Sequence, residues 1–536
     1  MMAWTKWRVD GSGAESTAGP VSCTTELGTK LKPGRAYFWG ILSGRPPSIC
    51  GVSGPEEPLT DFILELSIMS PCEVPPPRSI LPGPSSLQQL LKRFSITQNG
   101  FLPEEVPLAW LPDPYYAPWE ALIPDLPTLI ENRTLRHHVD QLPVLSANNL
   151  TSEPEQRRAY VVLCFLAQGY IWGGNTASEV LPPQLTVPLL SVSSTLGLPP
   201  IATYAAFNLW NFHTTTTPTT PTTPTTPTST ASFRDLDTIH SQHTFTGTPS
   251  ESWFYSVSIA IEASGASIIP TMLSGLSAAH NTDFPTATAA LHSLTACIAH
   301  LGTLLDRMDE NCDPDVFYHK IRPFLAGSKN MEAAGLPNGV FYDEGEGRGR
   351  WRELRGGSNG QSSLIQFFDV VLGVVHAAGG DTSAGDGKGK GVSFHEEVRG
   401  YMPGPHREFL EYVGGLHPGG MRGVLEKGKG EGRTKEEGEC RVAFTAATEA
   451  LAAFRGKHLQ MVTRYIIIPS RQAANDLKRR KGDLDMPVNL ATASSVKMEG
   501  VERGAKAELT GTGGTALLPF LKESRDETVR AGEIAR

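Results

Sequence analysis

The chain has 536 residues, a mass of 57.8 kDa, and 47 Lys and Arg against 56 Asp and Glu, for a net charge of -9. That balance excludes a dominant basic face for phosphate backbones, so nucleic acid is not the expected partner. The 54 glycines and 42 prolines make about 18% of the chain against roughly 12% on average, and charged residues are 19% against ~25%, so part of the length is expected to lie outside any core.

No apolar core of signal-peptide length opens MMAWTKWRVDGSGAES, and no run of ~18 uncharged apolar residues follows. The expectation is a soluble, cytoplasmic protein with no membrane partner. Seven cysteines (Cys23, Cys50, Cys72, Cys164, Cys297, Cys312, Cys440) are odd in number and never spaced CxxC, which supports neither a disulfide framework nor a zinc site.

Residues 1–83 mix Gly, Pro and Ser and end in SPCEVPPPRSILPGPSS, which reads as a poorly ordered extension. From residue 84 the pattern turns helical: SSLQQLLKRF, LIENRTLRHHVDQL and EPEQRRAYVVLCFLAQGYIW carry apolar residues at three- and four-residue spacing. The tract TTTTPTTPTTPTTPTST, 214–230, cannot bury apolar surface and reads as a loop insertion. The strongest helical patterns come next, in ESWFYSVSIAIEASGASII, TATAALHSLTACIAHLGTLLDRMDEN, QSSLIQFFDVVLGVVHAA and RVAFTAATEALAAFRGKHLQMVTRYIIIP. Further insertions are expected at 379–391, 425–439 and about 470–510; the first of these does not fit a phosphate loop, because Asp386 stands where the Lys is required. Alternating strand patterns are scarce. The expected fold is mainly α, with a smaller, mostly helical domain over 84–245 and a large all-helical domain over 246–536.

Three features carry candidate chemistry. His458 shares a helical stripe with Leu451, Phe454, Met461, Val462 and Tyr465. Such a histidine is ordinarily a core residue, but a single imidazole in an apolar helical pocket is also what an axial haem ligand requires, and Arg455 one turn earlier could face a propionate or simply form a surface ion pair. Gly356, Ser358 and Gly360 form G-x-S-x-G, the pattern of a hydrolase nucleophile elbow, yet the preceding WRELR is not an apolar strand; a glycine-rich turn that approaches a ligand is the competing reading. Arg322 lies among Phe317, Tyr318, Ile321, Phe324 and Leu325, where a buried guanidinium demands an anion, either a ligand carboxylate or an internal acid such as Asp369.

Eight segments in order resemble the indoleamine 2,3-dioxygenase family: RRAYVVLCFLAQGYIWGG, LPPQLTVPLLSVSSTLGLPPIATYA, ESWFYSVSIAIEASGASIIP, FYHKIRPFLAG, GGSNGQSSLIQFFDVVLG, RGYMPGPHREFL, ALAAFRGKHLQMVTRYIIIP and GTGGTALLPFLK. The resemblance covers most of the chain from about residue 85. It implies haem b held between helices of the large domain, with His458 as proximal iron ligand and Arg455 and Asp369 supporting the haem. Arg322 matches the residue that clamps the substrate carboxylate, with Phe317 against the indole. Tyr204, Phe254 and Ser258 match pocket positions, Gly357 and Ser358 lie in the loop covering the cavity, and Thr512 matches a mobile-loop threonine. Tyr318, Phe207, Asn208 and Asn359 depart from the residues expected there.

The implied reaction opens the indole ring of L-tryptophan with O2 to give N-formyl-L-kynurenine, in the kynurenine route towards NAD, with a reductant keeping haem ferrous and no protein general acid or base. The implied state is a monomer. The competing functions are a serine hydrolase using Ser358 and a haem-binding relative that turns over tryptophan poorly.

Overall fold

The computed structural model describes residues 84–215, 233–377, 393–427, 434–479 and 517–534. All of them belong to one compact unit, Pro76–Arg536. The extension 1–83, the insertion 379–391, most of the Thr/Pro tract and Thr512 fall outside the described residues.

Helix α1 (Pro84–Arg93) leads through three short helices between residues 117 and 140 and intervening turns to α2 (Glu153–Trp172). A full capping box starts α2: Ser152 Oγ accepts from the Glu155 amide at 3.4 Å and the Glu155 carboxylate accepts from the Ser152 amide at 2.9 Å. Every residue of α2 from Arg158 to Trp172 is buried, so it is a central helix covered on all sides. α3 (Pro183–Leu196) packs against it.

Two long apolar stretches follow, α4 (Pro249–Ser264) with α5 (Ile268–His280), and α6 (Phe284–Asp306). They are long and apolar enough to cross a membrane, but 78% of the first stretch's most apolar window is buried within the protein, and 44% of the second's. α7 (Ser363–Leu372), α8 (Gly404–Leu416), α9 (Lys435–Val462) and α10 (Leu517–Gly532) complete the frame. α9, 28 residues or ~42 Å long, lies along α6 on one side and α10 on the other.

The few strands sit at the margins. β1 (Val180–Leu181) pairs parallel to β4 (Val340–Gly345), which pairs antiparallel to β5 (Arg348–Arg352); β2 (Phe212–Thr214) and β3 (Ile239–Ser241) form a second small ladder. An aromatic column of Phe165, Phe245 and Phe324, with centroids 4.5 and 4.8 Å apart, passes through the boundary expected at residue 245.

Three expected loop bounds are corrected. Thr214 is not the first residue of a loop: it is buried and ends β2, paired with Ile239. The insertion expected at 425–439 shrinks at both ends, because a helix runs through Gly420–Lys427 and α9 begins at Lys435. Thr434 Oγ1 accepts from the Glu437 amide at 3.1 Å, and Glu436 and Glu437 sit where the helix dipole favours anions, so the polar run TKEEGE is a helix start. Likewise Ile468–Arg479 is helical at the opening of the insertion expected at about 470–510.

Candidate functional site

A cavity of about 1040 Å³, its mouth included, opens between α4, α9, α10 and the loop Gly357–Gly360. It brings together Tyr204, Phe254, Phe317, Arg322, Gly357, Ser358 and His458, seven residues that lie more than 250 positions apart at the extremes of the chain.

Part of its wall comes from three π-helical turns, Ala205–Leu209, Phe317–Ile321 and Thr463–Ile467. The extra residue in such a turn redirects side chains that a regular helix would place elsewhere. The first supplies Phe207 and Asn208, the second Phe317, the third Tyr465 and Ile466. Tyr465 then bonds the Cys312 carbonyl at 2.8 Å and Asp309 at 2.9 Å, tying the third turn to the segment that leads into the second. Phe317 consequently sits against Phe254 (4.9 Å) and edge-on to Tyr465 (5.7 Å, 86°).

Helix α4 is anchored at its start. Thr248 caps the Glu251 amide, and the buried Glu251 carboxylate accepts from the Phe245 and Thr246 amides at 2.9 and 2.8 Å and from the Tyr255 hydroxyl at 3.0 Å. That network fixes the rotation of α4 and aims Phe254 into the cavity. Ser258, one turn on, does not line the cavity; it is buried, with its hydroxyl 3.5 Å from the Phe254 carbonyl.

His458 projects from the last full turn of α9, with Met461 and Val462 beside it in the wall. Burial, with Arg455 adding to it, lowers its pKa to about 4, so at neutral pH the imidazole is uncharged and keeps a lone pair for a metal. Arg455 turns away from a simple surface role. It forks onto Asp369 at 2.7 and 2.8 Å and donates to Thr528 on α10. His376 bridges Asp369 (3.2 Å) and Glu527 (2.6 Å) and stacks on His395 at 3.7 Å. Burial alone would raise the Asp369 pKa, but Arg455 and then His376 hold it well below the usual carboxylate range. For His376 burial acts downward, yet the hydrogen bond and charge of Asp369, with Glu527, raise it.

Asp369 is thus engaged with Arg455, so the internal partner expected for Arg322 is not supplied from there. Arg322 is fully buried with its guanidinium over the Tyr318 ring at 5.7 Å, and burial lowers it to about 10, still cationic at neutral pH. Tyr318 lies under that guanidinium and not in the cavity wall, whereas Phe207, Asn208 and Asn359 do line it.

The covering loop is held by backbone proximity. A Cβ on Gly357 would lie 2.3 Å from Phe207 Cε2, and one on Gly356 2.1 Å from the Leu325 carbonyl, so both approaches require glycine. Arg355, just before them, is buried, stacks over Phe394 at 5.1 Å and bonds Glu397 at 2.6 Å, while Lys329 meets the same acid at 3.0 Å. Arg355, first, then Lys329, hold Glu397 at about 2 against the opposing effect of burial.

The same assembly of segments is shared with known proteins. The indoleamine 2,3-dioxygenase family profile matches residues 90–531. The chain belongs to this family. An indoleamine 2,3-dioxygenase of Aspergillus nanangensis is 41% identical over 449 residues, covering 82% of this chain and 97% of that protein. The indoleamine 2,3-dioxygenase of Saccharomyces cerevisiae is 38% identical over 452 residues, 83% and 94% of the two chains. A 6-hydroxytryptophan 2,3-dioxygenase of Fusarium equiseti is 35% identical over 435 residues, 81% and 95%. As a dioxygenase family member this chain is an oxidoreductase enzyme.

The hydrolase reading falls with it. WRELR does open on a strand, since β5 reaches Arg352, but that strand is polar and largely exposed, not the buried strand of a nucleophile elbow. The Ser358 hydroxyl accepts from the Gly360 amide at 3.2 Å and has no histidine partner among the described residues, so no base activates it.

Several residues of the site carried no usable signal. Gln361 links Tyr204 to the loop, its Oε1 accepting from the Tyr204 amide at 2.9 Å and its Nε2 donating to the Gly356 carbonyl at 2.9 Å. The Arg355–Glu397 pair joins positions 42 apart whose spacing says nothing. Glu262 did leave a trace, as a lone carboxylate within SVSIAIEASG at helical spacing from Phe254 and Ser258.

Proposed function

We propose that this chain is a haem dioxygenase that opens the indole ring of L-tryptophan with O2 to give N-formyl-L-kynurenine. The observation that carries this reading is one neutral imidazole, His458, and one buried guanidinium, Arg322, lining the same largely apolar cavity.

The residues present fit haem b. Among the described residues no group of three or more His, Cys, Asp or Glu could hold a bare metal ion, so a metal at His458 would take its other ligands from a macrocycle. Met461, Val462, Leu517 and Leu521 offer apolar faces to such a ring, and the Asn208 Oδ1, buried in the wall without a hydrogen-bond partner, offers a polar contact to a bound molecule. His458 would ligate the iron, and the Arg455–Asp369 pair holds the helix that carries it. Bound haem would supply O2 activation and the insertion of both oxygen atoms across the indole C2=C3 bond.

The protein's share is orientation and exclusion of water. Arg322 presents a planar fork to the amino-acid carboxylate, and burial strengthens that pair by removing competing solvent. Phe254, Phe317 and Tyr465 bound the slot for the indole ring, giving edge and face contacts. No Asp, Glu or Cys among the described residues lines the cavity. The Fusarium relative's name identifies a ring-hydroxylated tryptophan as its substrate, so the same slot could serve a substituted indole; the choice is set by its far wall, Phe207, Asn208 and Asn359.

The deciding experiment is purification of haem-loaded protein and of His458→Ala. The parent should show a Soret band and, with a reductant and air, produce formylkynurenine absorbance from L-tryptophan. His458→Ala should lose stable haem; unchanged haem content and activity in that variant would overturn the assignment. Parallel assays with L-tryptophan and 6-hydroxytryptophan rank the two substrates.

A further inference from the structure

Glu262 lies on α4 two turns beyond Phe254, is 1% exposed, and forms no ion pair among the described residues. A carboxyl buried without a cation is costly unless hydrogen bonds or a proton compensate it. Its Oε1 accepts from the Tyr204 hydroxyl at 3.1 Å and from Ser362 Oγ at 2.5 Å; its Oε2 is buried and has no partner. Burial raises the group to about 7, with the Ser362 and Tyr204 hydroxyls acting against it.

The two hydroxyls belong to two segments that meet beside the cavity. Tyr204 lines it and leads directly into the π-helical turn that carries Phe207 and Asn208. Ser362 caps α7, accepting from the Ile365 amide at 3.2 Å, and ends the loop that covers the cavity. Gln361 forms a second bridge between the same two segments.

We infer that Glu262 is a positioning residue, clasping Tyr204 and Ser362 so that the π-helical turn and the covering loop close around the indole substrate. It touches neither substrate nor cofactor; it acts through the two hydroxyls. The inference rests on the proposed function for its substrate, and its test includes a readout that does not.

The variants are Glu262→Gln, Glu262→Ala and Tyr204→Phe in the full chain. Amide hydrogen exchange is followed in peptides covering 202–209 and 356–362, and KM and kcat for L-tryptophan are measured on haem-loaded protein. Glu262→Gln retains an acceptor of the same shape and should keep exchange and KM within about twofold, whereas Glu262→Ala, which strands two buried hydroxyls, should raise exchange in both segments and KM by about tenfold with kcat little changed. Tyr204→Phe should give part of the KM effect and add nothing in the Glu262→Ala background, as expected of one shared interaction. Wild-type protection of both segments in Glu262→Ala would overturn the inference, and so would Glu262→Gln as damaging as Glu262→Ala. A parent protein that binds haem but does not oxidise tryptophan would instead sink the proposed function, and the exchange data would still decide the role of Glu262.

Discussion

Asp369 and Glu262 are both carboxyls buried to within a few per cent, and they are driven in opposite directions. Burial pushes each upward. Asp369 has a guanidinium forked onto both oxygens and an imidazole on one of them, which outweighs burial; Glu262 has only hydroxyls, which do not. The first therefore fastens three elements, α7, α9 and α10, by charge. The second fastens α4 to the segments that carry Tyr204 and Ser362 by hydrogen bonds to hydroxyls. Desolvation sets the starting penalty for a buried acid, and the chemistry of its partners decides whether the ionised form survives.

The comparison breaks most visibly at Arg455. Arg455→Leu leaves Asp369 buried without its main cation and should lower unfolding free energy in urea by about 3–5 kcal/mol, with Asp369→Asn in the same chain recovering a large part. A loss near zero would mean that the pair contributes no more than surface charges do.

A smaller effect distinguishes Glu262 by its pH dependence. The folded protein holds the Glu262 proton up to about pH 7, while the unfolded chain releases it near 4.5, so this group makes stability fall as pH rises through that window. The difference between Glu262→Gln and the parent should grow by about 3 kcal/mol in favour of the Gln variant from pH 4.5 to 7. Asp369 has the opposite sign: its contribution is full above the normal carboxylate range and is lost as pH falls. Denaturation curves at a series of pH values read both. A pH-independent difference for Glu262→Gln would show that the carboxyl is ionised throughout.

The smallest expected change is at Ser258. Its 3.5 Å contact to the Phe254 carbonyl is too long to hold α4, and Ser258→Ala should shift stability by about 0.5 kcal/mol or less. A larger loss would assign Ser258 a role in the Tyr204 and Glu262 cluster.

Helical spacing made α4, α6, α7 and α9 legible, and the aromatic setting of Arg322 marked it as a cation needing an anion. The β4–β5 hairpin was not legible because VFYDEG and RGRWR alternate weakly and expose one side to water. The start of α9 and the later part of the Ile468–Arg479 helix were hidden inside polar runs that resemble loops, since a helix held by capping or by packing elsewhere along its length needs little apolar signal there. The three π-helical turns had no sequence signature at all, although they supply five residues of the cavity wall, Phe207, Asn208, Phe317, Tyr465 and Ile466.

By itself the sequence determined which segments become helices, which side of each is apolar, and, through eight ordered segments, the family. Periodicity and local capping are properties of neighbouring residues, so they can be read from the chain. Only the tertiary structure decided that Asp369 belongs to Arg455, that Ser258 and Tyr318 stand outside the cavity lining, and that Glu262 joins Tyr204 to Ser362. Those outcomes depend on which partners meet at distances of 3 Å across separations of 58 to 100 residues, and desolvation then gives each pairing its energy.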